Sequence, residues 1–275
     1  MPDLLVATFY RFVRFDDPAS LRDSFAAACE RLGIRGTILL ANEGVNGTIS
    51  GTRDSVLELL AVLSRTPGLE DLAWKESSAE RHPFGRMRVR IKKEIVTLGV
   101  DGVDPSKSAG TYVRPRDWNA LITDPEVIVI DTRNDYEVEI GAFANAINPG
   151  IDAFGELTDW LREHYRPEDQ PKVAMYCTGG IRCEKSTALL KDAGFEHVYH
   201  LEGGILKYLE EIPEEESLWN GSCFVFDDRV SVGHGLEVVP HRICAGCQYP
   251  LPDVGSPPPP NESESGCPRC ASTSG

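Results

Sequence analysis

Cys177-Thr178-Gly179-Gly180-Ile181-Arg182-Cys183-Glu184-Lys185-Ser186 is the stretch whose reading decides the fold. It follows the apolar run 172–176, which predicts a buried parallel strand, and leads into 182–193, which predicts a helix closed by Gly194. Backbone N–H groups in such a strand–loop–helix turn form an anion-binding nest. The helix N-terminus adds about half a positive charge, and Arg182 adds a full one. All three favour thiolate over thiol. Cys177 is therefore expected to be a nucleophile with a depressed pKa, and Thr178, Gly179, Gly180, Ile181 and Arg182 to form its anion nest. A structural core cysteine beside a tight turn would not require Gly-Gly and Arg at these offsets.

Working outward, 127–130 is a second continuous apolar run, ending in Asp131-Thr132-Arg133, and 197–201 a third, followed by Glu202-Gly203-Gly204. Strands alternating with helices imply a parallel α/β sheet with its ligand site at the carboxyl ends of the strands. Asp131 and Arg133 there either position a substrate or buttress the loop. Cys183 reads as a resolving thiol or as a small residue packed under the loop. Glu184 and Lys185 read as first-turn helix residues or as an acid–base pair.

The N-terminal part follows another pattern. Leu4–Phe12 is an apolar strand, Asp17 caps a helix starting at Pro18, and 34–41 is a strand. Asn46-Gly47 signals a two-residue hairpin turn, with 48–51 as the return strand. Thr52 caps a second helix, and 72–76 begins a last strand. This β-α-β-β-α-β order is ferredoxin-like. The expected organisation is a ferredoxin-like α+β domain over 1–98, a linker over 99–118, a parallel α/β domain over 119–216 and an irregular tail over 217–275.

The chain has 275 residues and a net charge of −15, but residues 1–95 carry +1 and residues 96–275 carry −16. The acidity argues against a general nucleic-acid binder. Within the near-neutral first domain, 81–93 contains no acid. If 86–92 is a strand, Arg86, Arg88, Arg90 and Lys92 share one face, either as charge protecting a sheet edge or as a phosphate-tracking stripe. No apolar run approaches the roughly 20 residues of a membrane-spanning helix, and no secretory leader is evident, so a cytoplasmic protein with no membrane partner is expected. Oligomeric state has no signature in the sequence.

A strand-end cysteine followed by four residues and an arginine resembles the active loop of rhodanese domains, which carry sulfur as a cysteine persulfide. The resemblance narrows further. The loop, Asp131–Ile140 (DTRNDYEVEI), Asn42–Thr48 (NEGVNGT) and Arg88–Gly99 (RVRIKKEIVTLG) together resemble the rhodanese-domain tRNA uridine(34) hydroxylase family, over about residues 5–228. The resemblance implies a rhodanese-like second domain, tRNA as partner, and oxygen-dependent 5-hydroxylation of the wobble uridine. It also implies molecular oxygen as co-substrate and Cys177 as the essential cysteine. No flavin or haem motif and no non-haem iron triad accompanies it, so the sequence names no electron donor. A plain persulfide sulfurtransferase is the competing enzyme, and an RNA-binding scaffold the competing non-enzyme.

Cys244-Ala245-Gly246-Cys247 and Cys267-Pro268-Arg269-Cys270 form two C-x2-C pairs at a spacing suited to a structural zinc ribbon. Two redox-labile pairs are the alternative. The proline-rich 256–266 between them reads as an extended or disordered loop. Cys29 reads as a core residue, and Cys223 as a core residue or one packed behind the site.

Overall fold

The computed structural model describes residues 4–252, 267, 269 and 270. The N-terminal domain is built from β1 (Leu4–Phe12), α1 (Pro18–Arg31), β2 (Arg35–Ala41), β3 (Gly44–Gly51), α2 (Arg53–Leu63), β4 (Trp74–Ala79) and β5 (Met87–Ile91). Its five strands lie in the order β4-β1-β3-β2-β5. The first four form the antiparallel ferredoxin-like arrangement, and β5 adds a parallel edge strand beside β2. Asp17 and Thr52 cap the helices as the sequence predicts. Ala7, Phe9, Ile38, Leu40, Val45 and Ile49 turn one sheet face onto Phe25, Val56, Leu59 and Leu60 of the helices.

One expected turn falls elsewhere. The β2–β3 hairpin turns at Asn42-Glu43, and Asn46 and Gly47 lie inside β3. Gly47 is there for space: a Cβ would stand 2.8 Å from the Phe9 ring. Asn46 donates its side-chain amide to the Ile95 carbonyl at 3.0 Å. Both residues serve tertiary packing rather than a turn.

The second domain begins earlier than its composition suggests. Within 99–118, expected as linker, α3 (Pro105–Ser108), β6 (Thr111–Val113) and the start of α4 (Pro115–Ile122) are formed. Strand β6 pairs in parallel with a strand 88 residues further on, Tyr199 opposite Thr111. Three residues are too few to show an apolar period, and two of them are exposed, so the Gly/Pro/Ser composition masks the strand. There follow β7 (Val127–Asp131), α5 (Asp135–Val138), β8 (Gly141–Phe143), α6 (Leu157–His164), β9 (Lys172–Tyr176), α7 (Ile181–Asp192), β10 (Val198–Leu201) and α8 (Gly204–Glu211). The parallel sheet β6-β10-β9-β7 has an apolar cluster on each face.

The expected tail is part packed structure. In β11 (Trp219–Gly221), β12 (Cys223–Phe224) and β13 (Ser231–Val232), Trp219, Cys223 and Val232 join the core of the second domain. Beyond them, β14 (His241–Ile243) and β15 (Pro250–Pro252) pair with each other. The proline-rich 256–266 lies outside the described residues.

A buried lysine joins the domains. The Lys185 ammonium, on α7, meets the Glu43 carboxylate at 2.8 and 2.7 Å, Glu94 at 2.6 Å and the Val96 carbonyl at 3.1 Å. Its side chain is 1% exposed. Lys185 does lie near the start of α7, but its ammonium serves the contact between the domains. Removing one partner of such a buried cluster typically costs about 3–5 kcal/mol, because a desolvated charge is left uncompensated.

Candidate active site

Cys177 follows β9 directly, and the loop 177–180 delivers the chain to α7. Gly203 and Gly204 press against that loop from below. At Gly204, whose φ is +68°, a Cβ would stand 2.5 Å from the Cys177 carbonyl oxygen. The N–H groups of Ile205 and Leu206 donate to the Cys177 and Thr178 carbonyls at 2.9 and 3.1 Å. Carbonyls thus point back into the protein, and the Gly180 N–H donates to the Cys177 sulfur at 3.1 Å.

The sulfur is fully buried among protein groups yet borders a cleft of about 640 Å³ between the two domains. Burial alone would push its pKa up. The Cys183 thiol, the Arg182 guanidinium and the N–H groups of Cys183 and Gly180 outweigh burial and hold it down at about 5. Cys183 itself is raised by burial and by its neighbour's sulfur, so it remains a neutral donor. Its thiol also lies 3.5 Å from the Thr132 hydroxyl. Two buried core thiols behave oppositely: burial pushes Cys29 and Cys223 up to about 12. At Cys177 burial is overcome because donors converge on the sulfur.

Arg182 is not a free cation. It forms a two-pronged pair with Glu137 on α5, at 2.6 and 2.8 Å, and the Thr178 hydroxyl donates to the same carboxylate at 3.2 Å. Burial works against the Glu137 carboxylate, but Arg182 and Arg133 keep its pKa low. The extra positive charge expected from Arg182 is therefore largely matched, and the loop offers its sulfur a balanced site rather than a cationic one. Arg133 and Asp131 sit behind this arrangement. They pair at 2.6 Å with both side chains buried, and Arg133 also donates to the Glu137 and Gly141 carbonyls. Of the two readings of Asp131 and Arg133, their burial favours buttressing over substrate contact.

The N-terminal sheet supplies the opposite wall, with Thr8, Tyr10, Thr37, Leu39, Asn46 and Thr48 lining the cleft. Lys75 of β4 reaches across to donate to the Gly179 carbonyl at 2.7 Å. Burial pulls its ammonium down to about 8, against the opposing pull of the Cys177 and Glu184 charges. The Tyr10 hydroxyl donates to Glu184 at 2.6 Å. Burial raises Glu184 despite the hydroxyls of Tyr10 and Tyr112, which lower it. Sequence reading singled out neither Tyr10 nor Lys75. The alternating pattern of β1 marks Tyr10 as off the core, but nothing local says that a second domain covers that face.

Of the basic stripe, Arg88 and Arg90 lie within β5 on one face, and Arg86 and Lys92 flank the strand. Arg88 and Arg90 pair in register with Thr37 and Leu39, so they continue the cleft-lining side of the sheet at its outer edge. Arg86, Arg88, Arg90 and Lys92 are exposed and make no ion pair with a described residue.

The four C-terminal thiols converge. The sulfurs of Cys244, Cys247, Cys267 and Cys270 lie within 4.8 Å of one another, with Cys244–Cys270 at 3.7 Å and Cys247–Cys267 at 3.4 Å. A regular tetrahedron of thiolates about 2.3 Å from one zinc ion has edges of about 3.8 Å, so this donor set fits that ion. Arg269 meets Asp135 of α5 at 2.5 Å, two residues before Glu137.

Two family profiles match the chain: "UPF0176 acylphosphatase like domain" over residues 4–95 and "Rhodanese-like domain" over 115–211. A tRNA uridine(34) hydroxylase of Sinorhizobium medicae is 54% identical over 269 residues, 98% of this chain and 85% of that protein. Those of Albidiferax ferrireducens and Teredinibacter turnerae are 56% and 54% identical, again over 98% of this chain and over 86% and 84% of theirs. The chain belongs to the tRNA uridine(34) hydroxylase family. Among solved structures, a rhodanese-related protein from Thermoplasma volcanium is 28% identical, covering 37% of this chain and 92% of that one with a TM-score of 0.31. Of the segments that carry the family resemblance, Asn42–Thr48 and Arg88–Gly99 contain Glu43 and Glu94, which hold the first domain against α7.

The thiolate absorbance of Cys177, taken as a difference from Cys177→Ser, should titrate with a midpoint of about 5. The thiolate is then essentially complete at pH 7 and disappears as pH falls through that midpoint. Cys183→Ala removes a donor and should move the midpoint up, whereas Cys183→Ser keeps a donor and should move it less. An unmoved midpoint in Cys183→Ala would remove this hydrogen bond from the account.

Proposed function

We propose that this protein hydroxylates C5 of the wobble uridine, position 34, in tRNA, as an oxygen-dependent oxidoreductase with Cys177 as its essential nucleophile. The observation that carries the proposal is a thiolate held near pKa 5 on the wall of a cleft large enough for a nucleoside. The names of relatives sharing more than half of its residues support the substrate. A sulfurtransferase acting on small thiols would need only the loop. The wide cleft and the exposed cations beside it suit a large polyanion.

The chemistry follows from uracil itself. C6 is electrophilic, and addition of the Cys177 thiolate there places electron density on C5. One oxygen atom of molecular oxygen bonds to C5, and the other is reduced to water with two electrons and two protons from a donor. Loss of the C5 proton and departure of the thiolate then restore the C5–C6 double bond. Arg88 and Arg90, with Arg86 and Lys92, hold the tRNA backbone at the sheet edge and aim the nucleotide into the cleft. Cys244, Cys247, Cys267 and Cys270 hold a structural zinc ion, which would supply folding energy to a segment with little apolar core. The protein works in the cytoplasm, where its substrate is.

Mass spectrometry of tRNA nucleosides from a strain lacking the gene tests the activity directly. Wild-type protein should restore 5-hydroxyuridine and Cys177→Ser should not; restoration by the serine variant would defeat the proposal. Reversing charge at Arg88 and Arg90 together should weaken tRNA binding and flatten its salt dependence, the slope falling by about 0.7–0.9 for each phosphate no longer neutralised. Unchanged binding would leave those residues as edge protection. Purified protein should contain close to one zinc per chain, and a Cys244→Ser/Cys267→Ser variant almost none. Equal, negligible zinc in both would end the metal assignment.

A further inference from the structure

Phe226 is the most exposed of the large apolar side chains among the described residues, at 62%, yet it lines the cleft that holds Cys177. Its setting is rigid. Phe224 and Val225 before it are buried, and the Val225 N–H donates to the Val230 carbonyl at 2.9 Å. Asp227 after it is locked to Arg229 at 2.8 and 2.6 Å, and Arg229 reaches Ser77 of β4 at 2.8 Å. The Phe224 ring supports it edge-on, with centroids 5.1 Å apart. The Arg182 guanidinium carbon is 5.9 Å from the ring centre. An aromatic ring held out into solvent on buried neighbours, beside the nucleophile's loop, forgoes burial that a ligand could provide.

A second aromatic enters from the other domain. Phe84 lines the same cleft from the loop before β5, and the Asp228 N–H donates to the Pro83 carbonyl at 3.0 Å, tying the two aromatic segments together. Phe84, Phe226 and Cys177 thus line one cleft, and Arg88 and Arg90 lie beside the cleft-lining Thr37 and Leu39. Such a combination suits a nucleic-acid strand whose backbone is gripped outside and whose base is turned inward.

We propose that Phe226, in a cleft that Phe84 also lines, is the stacking platform that receives the unstacked pyrimidine of the target nucleotide. A base taken out of an RNA loop offers two flat faces that stack on aromatic side chains, while its polar edge needs hydrogen-bonding partners. The hydroxyl and amide groups of Thr8, Asn46 and Thr48 line the same cleft and supply such partners. This assignment rests on the tRNA reading above and extends it to a substrate-binding residue.

The test uses the full-length protein and two anticodon stem-loop RNAs, one with uridine at the wobble position and one abasic there. Phe226→Leu should bind the uridine RNA about 10-fold more weakly than wild type and the abasic RNA equally well. Phe226→Tyr should retain wild-type affinity, and the Cys177 thiolate titration should be the same in all three. The added indole emission of Phe226→Trp, read against wild type, should be quenched by the uridine RNA and far less by the abasic one. Equal quenching by both RNAs, or undiminished binding by Phe226→Leu, overturns the stacking role. Hydroxylation by wild type with no effect of Phe226→Leu defeats this proposal alone. Absence of hydroxylation with uridine-selective binding intact defeats the activity and leaves the platform standing.

Discussion

The Lys185 ammonium is the point on which the two-domain arrangement turns. It extends from α7 of the second domain to Glu43 and Glu94 of the first. Burial works against the Glu94 carboxylate, but Lys185 and the N–H groups of Leu98 and Gly99 keep its pKa low. Glu43 also accepts from the Ile95 N–H, so one carboxylate orders the chain after β5 while neutralising the lysine. A buried ammonium tolerates little displacement, because its attraction falls with distance while its desolvation cost remains. The clamp therefore sets where Tyr10 and Lys75 stand over the cysteine loop, and so sets the cleft.

Within that frame, the reactive sulfur depends on charges matched in sequence from the protein's interior outward. Asp131 neutralises Arg133, Arg133 helps to hold Glu137, and Glu137 orients Arg182. What reaches Cys177 is a fixed field and a set of hydrogen-bond donors, not an excess of cations. A thiolate in such a site is stabilised without a loose positive charge that would bind any passing anion. The net charge of −16 over residues 96–275 works in the same direction, opposing general association with nucleic acid.

Much of this was legible in the sequence. The Cys177 loop, its strand and its helix follow from local chemistry, since nest, helix terminus and arginine all lie within ten residues. The helix caps at Asp17 and Thr52 were legible for the same reason. The paired C-x2-C spacing pointed to four thiols that do converge. Misreadings share a cause. Asn46-Gly47 carries the signature of a turn, but its residues answer to Ile95 and the Phe9 ring. The segment 99–118 carries the composition of a linker, but β6 is completed by a strand far along the chain. Glu184 and Lys185 do lie at the start of α7 as expected, but the Tyr10, Glu43 and Glu94 groups that they meet come from the other domain.

Sequence alone determined the identity of both folding units and the family and marked Cys177 as the candidate nucleophile, because each is encoded in contiguous residues whose spacing has physical meaning. Tertiary structure decided which groups face that nucleophile. Tyr10, Lys75, Glu137 and Phe226 are separated from Cys177 by between 40 and 167 residues. No local period predicts which of them meet, since Tyr10 and Lys75 come from the sheet of the other domain and Glu137 and Phe226 from distant segments of the same one.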